Sequence, residues 1–186
     1  LPKKVDVDER RRAFAEAVFR VVETSGSEAV SLRDVAAEAG VSMGMVQHYF
    51  RTKDEMLMFA LEYLGERVSR RLEDRLAALP DPTPKEVVRA MLAEVLPSTK
   101  ASRQEAAVSI AFFNRAVVTP AYAQALRESY RRVLTLVAAR LPAGRRDEAT
   151  VLFWLTQGLL GPVLIGHYTA DEALALLDAQ VDRAFA

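Results

Sequence analysis

The sequence predicts an all-α protein of about nine helices, on three observations. Apolar residues recur at helical spacing: Phe14, Ala17, Val18, Val21 and Val22 share one face, as do Leu57, Ala60, Leu61, Leu64 and Val68, and again Leu152, Leu155, Leu159 and Val163. A Ser or Thr three residues before Asp or Glu can satisfy the free N–H groups of a helix start. Such pairs stand at Ser31/Asp34, Thr52/Glu55, Thr83/Glu86, Ser102/Glu105 and Thr169/Glu172. No useful length alternates with the period of two that a half-buried strand requires.

The elements follow in order. The Phe14 stripe marks a helix over 7–25. Ser31 opens a second over 32–39, which Gly40 stops, and Ser42 opens a third over 43–49. Thr52 opens a long helix over 53–79, ended by the rigid loop Pro80-Asp81-Pro82-Thr83-Pro84. Thr83 and Pro84 start 84–96, Ser102 starts 102–117, and Thr119 with Pro120 starts 120–140. The Leu152 stripe runs through 145–166, where Gly158, Gly161 and Pro162 predict a kink or break. Thr169 opens the last helix, 170–185. Three short helices followed by longer ones suggest a small module over 1–52 joined by one long helix to a bundle over 53–186.

Composition narrows the function. The chain has 186 residues, 51% hydrophobic and 27% charged, enough to bury a sizeable core. Lys plus Arg and Asp plus Glu each total 25, so any nucleic-acid surface is local. The absence of cysteine excludes disulfides, thiolate metal sites and cysteine nucleophiles, and His48 and His167 are the only histidines. No metal, cofactor or catalytic constellation is expected, and the chain does not read as an enzyme. No apolar run is long enough to span a membrane, and the first residues lack the apolar core of a signal peptide, so the expected location is the cytoplasm.

The segment SLRDVAAEAGVSMGMVQHYF is the most informative. Leu32, Val35, Ala36 and Ala39 form one helix face, Gly40 allows a sharp turn with Val41 as a buried plug, and Val46 and Phe50 point back inward. Two helices joined this way form a helix-turn-helix, whose second helix enters the major groove of double-stranded DNA. The outward residues Met43, Gly44, Met45, Gln47 and His48 include no Lys, Arg, Asp or Glu, unlike an ordinary solvated face. Gln can pair with adenine, and methionine or histidine can meet base edges or the thymine methyl. Ser31, Arg33, Ser42, Tyr49, Thr52 and Lys53 surround them as phosphate contacts. The helix start near Lys53 also favours a phosphate, and Lys3 and Lys4 suggest a basic arm. The alternative is a helical hairpin that only packs, inside a helical enzyme or carrier.

At these residues the sequence resembles the TetR family of bacterial transcriptional repressors. The likeness lies in an alanine-containing helix, a glycine turn, then GVSMGMVQHYFRTKDEML, and it covers residues 8–64. Many members carry Tyr where this chain has Gln47, which leaves the aromatic phosphate contact to Tyr49 and frees Gln47 to read a base.

A single small reader makes few contacts and a dimer doubles them, which gives the C-terminal half a task. Leu152, Leu155, Leu159 and Val163, with Leu174, Leu177 and Val181, form two stripes suited to a four-helix interface between copies, or else facing the chain's own core. The resemblance implies an inducer cavity among the middle helices. Its candidate lining is Phe59, Tyr63, Phe112, Phe113, Asn114, Tyr122, Trp154 and Gln157, aromatics and amides suited to a largely apolar or aromatic small molecule. Core packing is the plain alternative for each aromatic, and helix capping for Asn114. The resulting expectation is a ligand-responsive regulator, most simply a repressor, that binds a palindromic operator as a homodimer. A ligand-independent regulator of the same fold remains the alternative.

Overall fold

The computed structural model describes residues 2–26 and 29–186, with side chains from residue 7 onward. Lys3 and Lys4 of the expected arm therefore have side chains outside the described residues. Nine helices and no strand occur among the described residues: α1 (Pro2–Ser25), α2 (Leu32–Glu38), α3 (Met43–Tyr49), α4 (Lys53–Ala77), α5 (Pro84–Ala93), α6 (Lys100–Val118), α7 (Pro120–Ala138), α8 (Glu148–Leu164) and α9 (Ala170–Phe185).

Most helix starts follow the expected chemistry. Thr83 with Glu86 and Thr169 with Glu172 make complete reciprocal boxes, each hydroxyl taking a backbone N–H while the carboxylate takes the cap's own N–H at 2.8 Å. At α4, Glu55 N–H donates to Thr52 Oγ1, but the Glu55 carboxylate reaches back to Arg51 N–H. The expected cap at Ser102 is corrected. Thr99 caps α6, and Ser102 occupies the third helical position, answering Thr99 N–H at 2.9 Å. A serine thus does what glutamate does in the other boxes, and Glu105 is released for another partner. Pro84 and Pro120 both occupy first-turn positions. The break expected in α8 is absent: the helix continues through Gly158, Gly161 and Pro162 to Leu164. The proline sits in the last turn, and its own carbonyl accepts His167 N–H at 2.9 Å.

Contacts divide the chain into two units, Leu1–Arg67 and Val68–Ala186, separated within α4. The expected boundary at the start of α4 lies earlier, because Phe59 meets Phe50 and Tyr63 stacks on Phe19. In the first unit Phe14, Val18, Phe19, Val35, Val46, Phe50 and Met56 are fully buried. Glu16 ties α1 to α4, accepting from Tyr63 Oη and Arg67 Nη1, both at 2.8 Å. In the second unit α5, α8 and α9 share one core around Val88, Leu92, Leu152, Leu159, Leu177 and Val181. Arg71 of α4 joins Glu94 of α5 and, with two bonds of 2.8 and 2.6 Å, Glu105 of α6.

Candidate nucleic-acid interface and ligand cleft

The turn between α2 and α3 is built by backbone chemistry. Gly40 adopts φ 67°, a left-handed conformation that glycine accepts without strain. Gly40 N–H then bonds Ala37 O at 3.2 Å, and Val41 N–H bonds Ala36 O at 2.9 Å. This pair of reversed bonds closes α2 and sets the chain's exit direction. Val41 is half-buried, not the buried plug expected. Ser42 restarts the chain as α3, its Oγ accepting Met45 N–H at 3.2 Å.

Burial then sorts the residues of α3. Val46 and the following Phe50 are fully buried, and Phe50 packs against Phe14 at 6.2 Å. Met43, Gly44, Met45, Gln47 and His48 are all exposed, as expected of a reading face. Met43 and Met45 leave 44% and 43% of their surface in water. Tyr49 is held half-buried between Phe14, at 5.5 Å, and His48, at 5.2 Å. Around this face stand Arg33, Ser42 and Thr52, exposed, and Ser31 and Lys53, half-buried. Ser31 caps α2 by accepting Asp34 N–H at 3.2 Å. Asp54 and Glu55 occupy the first turn of α4, so a phosphate there would meet Lys53 and not a bare positive helix end. Arg11, absent from the expected set, lies over the Phe50 and Phe59 rings at 4.9 and 4.3 Å, bracing α1 against the end of α3.

In the second unit a cleft of about 240 Å³ opens between α6, α7 and α8, lined by Ser109, Ile110, Phe113, Tyr130, Trp154, Gln157, Gly158 and Leu160. Three of the eight expected lining residues meet there: Phe113, Trp154 and Gln157. Phe59 and Tyr63 belong to the first unit. Phe112 and Tyr122 are buried and stack on each other at 6.0 Å, tying α6 to α7 as core. Asn114 is exposed on α6 and lines no part of the cleft. Tyr130 was not expected in the lining, though its ring meets Trp154 at 5.6 Å and Phe153 at 5.1 Å. Burial pushes its phenol above the usual tyrosine range. Phe113 and Tyr130 also line an adjoining apolar hollow with Val117 and Leu126. A more polar hollow by Arg71, Arg75 and Arg89 has its guanidiniums already paired with Glu94, Glu105 and Asp178.

The two stripes expected to meet a second copy are corrected as well. Leu152, Leu159, Val163, Leu177 and Val181 are buried in the chain's own core, and Leu155 and Leu174 pack against its edge. Each stripe faces the other because α8 and α9 pack together. The exposed apolar residues here are instead Val151 and Trp154 on α8, Ile165 just past its end, and Leu176 on α9.

Comparison with known proteins agrees with this geometry. Residues 16–58 match bacterial regulatory proteins of the tetR family, and residues 84–186 match the C-terminal domain of BetI-type transcriptional repressors. The transcriptional regulator PksA of Bacillus subtilis is 41% identical over 112 residues, 60% of this chain and 54% of that protein, so the match spans about half of the relative's length. BetI of Yersinia pestis is 24% identical over 188 residues, 94% of this chain and 91% of BetI. Among solved structures, a transcriptional regulator from Rhodococcus sp. Rha1 superposes with a TM-score of 0.85 at 31% identity, covering 94% of this chain and 95% of that one. A regulator from Saccharomonospora viridis, solved in complex with choline, has the same fold, with a TM-score of 0.83 at 22% identity and coverage of 94% and 96%. No helix among the described residues is long and apolar enough to cross a membrane. An uncharged exposed helix set by a glycine turn, a C-terminal helical bundle and these matches place the chain in the TetR family of DNA-binding transcriptional regulators, with a C-terminal half of the BetI type, and not among enzymes.

Proposed function

We infer that the protein is a ligand-responsive repressor that binds a palindromic operator as a homodimer and is released by a small molecule. The observation that carries this reading is the face of α3, where five consecutive outward positions are exposed and carry no Lys, Arg, Asp or Glu. A solvated helix gains nothing from two half-exposed methionines, whereas base edges and thymine methyls reward them. Gln47 reads a base, and Arg33, Tyr49, Thr52 and Lys53 hold the phosphates. Two copies supply two reading helices about one helical turn of DNA apart, ~34–36 Å. A regulator of this kind works in the cytoplasm, where its operator is.

The cleft beside Phe113, Tyr130 and Trp154 supports the ligand reading. Its lining offers ring faces, the Gln157 amide and the hydroxyls of Ser109 and Tyr130 and includes no carboxylate, which suits a largely apolar or aromatic molecule with one or two hydrogen-bonding groups. The choline bound by the Saccharomonospora viridis neighbour makes a quaternary ammonium compound the first to try, since aromatic faces attract such cations. A ligand there would bear on α6, whose Glu105 stands one turn from Ser109 and grips Arg71 of α4. The test is an operator selection from random DNA, with and without choline and a panel of neutral aromatics. A selected palindrome whose binding weakens with one ligand class supports the reading. Failure to enrich any sequence would refute it.

A further inference from the structure

Two side chains of α3 have a reactivity that contact with bases does not use. The chain holds five methionines and no cysteine. Thiols are the side chains that oxidants consume first, and without them the thioether is the next sulfur in line. The fold grades the five methionines. Met56 is fully buried, and Met58 and Met91 are half-buried. Met43 and Met45 alone of the five are exposed, at 44% and 43%. Gly44 between them adds no side chain, and a Cβ there would meet Ser42 Oγ only at 3.9 Å, so the space over the pair is open. The thioethers most open to an oxidant are therefore the two on the face that reads DNA.

Oxidation changes these side chains in the direction that matters there. A thioether is apolar and polarisable and fits against a thymine methyl, whereas its sulfoxide is polar and accepts hydrogen bonds without donating them. Acceptors outnumber donors on the major-groove edges of the bases, and the phosphate oxygens are acceptors too. A sulfoxide thus loses the apolar contact and meets mostly groups that it cannot bond. The helix itself is spared, because α3 is anchored through the buried Val46 and Phe50 and not through either methionine.

We propose that Met43 and Met45 form an oxidation switch: an N-chloro oxidant converts both to sulfoxides and keeps the protein off its operator without any ligand in the second unit. This rests on the reading of α3 as the helix that meets the bases. In each step the sulfur lone pair takes chlorine, and the N–Cl bond breaks. The nitrogen keeps the bonding pair and takes up a proton. Water then displaces chloride at sulfur, forming the S–O bond and releasing two protons. Sulfur is oxidised by two electrons and chlorine is reduced to chloride. Operator bases cover the pair in the complex, so the oxidant acts on protein already free and holds it free. Reduction of the sulfoxides resets the switch.

The probe is N-chloro-p-toluenesulfonamide, added in steps to the full chain with the operator selected from random DNA or with an unselected duplex of equal length. Peptide mass spectrometry counts the oxygens at each methionine, circular dichroism follows the helices, and Trp154 emission shows when the oxidant goes beyond thioethers. Met43 and Met45 are expected to gain oxygen before Met56, Met58 and Met91, and more slowly on the operator than on the unselected duplex. With helices and Trp154 emission unchanged, operator affinity should fall about tenfold or more, as the loss of a good base contact does. Methionine sulfoxide reductases for both epimers, with dithiothreitol, should restore it. A Met43→Leu, Met45→Leu variant, measured on the sequence that it selects for itself, should lose nothing further at the same dose. Oxidation of the pair without loss of binding overturns the switch, and leaves α3 as the reading helix where Gln47→Ala still relaxes one base position. Oxidation that begins at another methionine, equal losses in the leucine variant, or binding that the reductases do not restore overturns it too. A chain that enriches no sequence from random DNA overturns the reading of α3 and the switch with it.

Discussion

The proposed function gives Gln47 and Lys53 different tasks. Gln47 is exposed on the uncharged face of α3, and Lys53 opens α4 beside it. Gln47→Ala is expected to relax the operator preference at one base position and cost ~1–3 kcal/mol on the selected site, with little change on random DNA. Lys53→Ala is expected to weaken selected and random DNA alike. Titrating both variants against both DNAs checks the assignment, and equal losses for the two variants on both DNAs would defeat it. Gly40 tests the turn itself. No neighbour would obstruct a Cβ there, so Gly40→Ala suffers only the left-handed backbone, a loss of about 1 kcal/mol measurable by denaturant unfolding.

At the level of elements, helix starts were the most legible part of the sequence, because a cap is a local bond between residues three apart. Ser31, Ser42, Thr52, Thr83 and Thr169 all cap where their spacing indicates. Ser102 misled because serine can fill either role in a box, and only the buried position of Glu105 decides between them. The helical stripes were equally legible, but a stripe does not name its partner. Leu152 and Leu177 would look the same in the sequence whether they faced α9, α8 or another copy. The cleft was half legible for a similar reason: Phe112 and Phe113 are adjacent and chemically equal, and only the rotation of α6 buries one and exposes the other.

Two consequences for these elements can be measured. Hydrogen bonds from Thr83 and Thr169 hold the Glu86 and Glu172 carboxyls below their usual range. A carboxyl depressed in the folded state contributes stability that is present above its unfolded value, near 4.5, and lost as pH falls through the folded value. Fraying of α5 and α9 at their N-termini is therefore expected as pH drops below that value, seen as faster amide exchange in their first turns. Glu172→Gln should flatten the response at α9 alone. Arg71 binds α4 to two helices, and its bidentate partner Glu105 is almost fully buried. Arg71→Met removes the bidentate partner of that buried carboxylate, with an expected loss of ~3–5 kcal/mol in denaturant unfolding. Arg71→Met with Glu105→Leu should recover part of it.

Across the whole molecule, α8 and α9 each bury one side in the chain and leave the other to solvent. A glutamate at Leu159 or Leu177 would put a charge into the core of the second unit, which is costly without a partner. Such variants are expected to lose the cooperative unfolding transition, whereas Ile165→Glu, at an exposed position, should keep it. Trp154, the single tryptophan, reports the cleft. Ligand binding is expected to change its emission and, through a coupling of ~1–3 kcal/mol, to lower operator affinity over the same concentration range. Ligands that shift Trp154 emission without releasing DNA would separate the cleft from regulation.

Helix α3 carries no lysine or arginine, in a chain whose charges sum to zero. A protein displaces the cations condensed on DNA through its own cations, and that release sets how steeply binding falls with ionic strength. On the proposed reading the release belongs to Arg33, Lys53 and the other cations outside α3, which touch every sequence in the same way. Added salt should therefore weaken operator and random DNA in parallel. The ratio between them, which decides occupancy in a genome, should stay nearly constant as the cell's ionic strength changes.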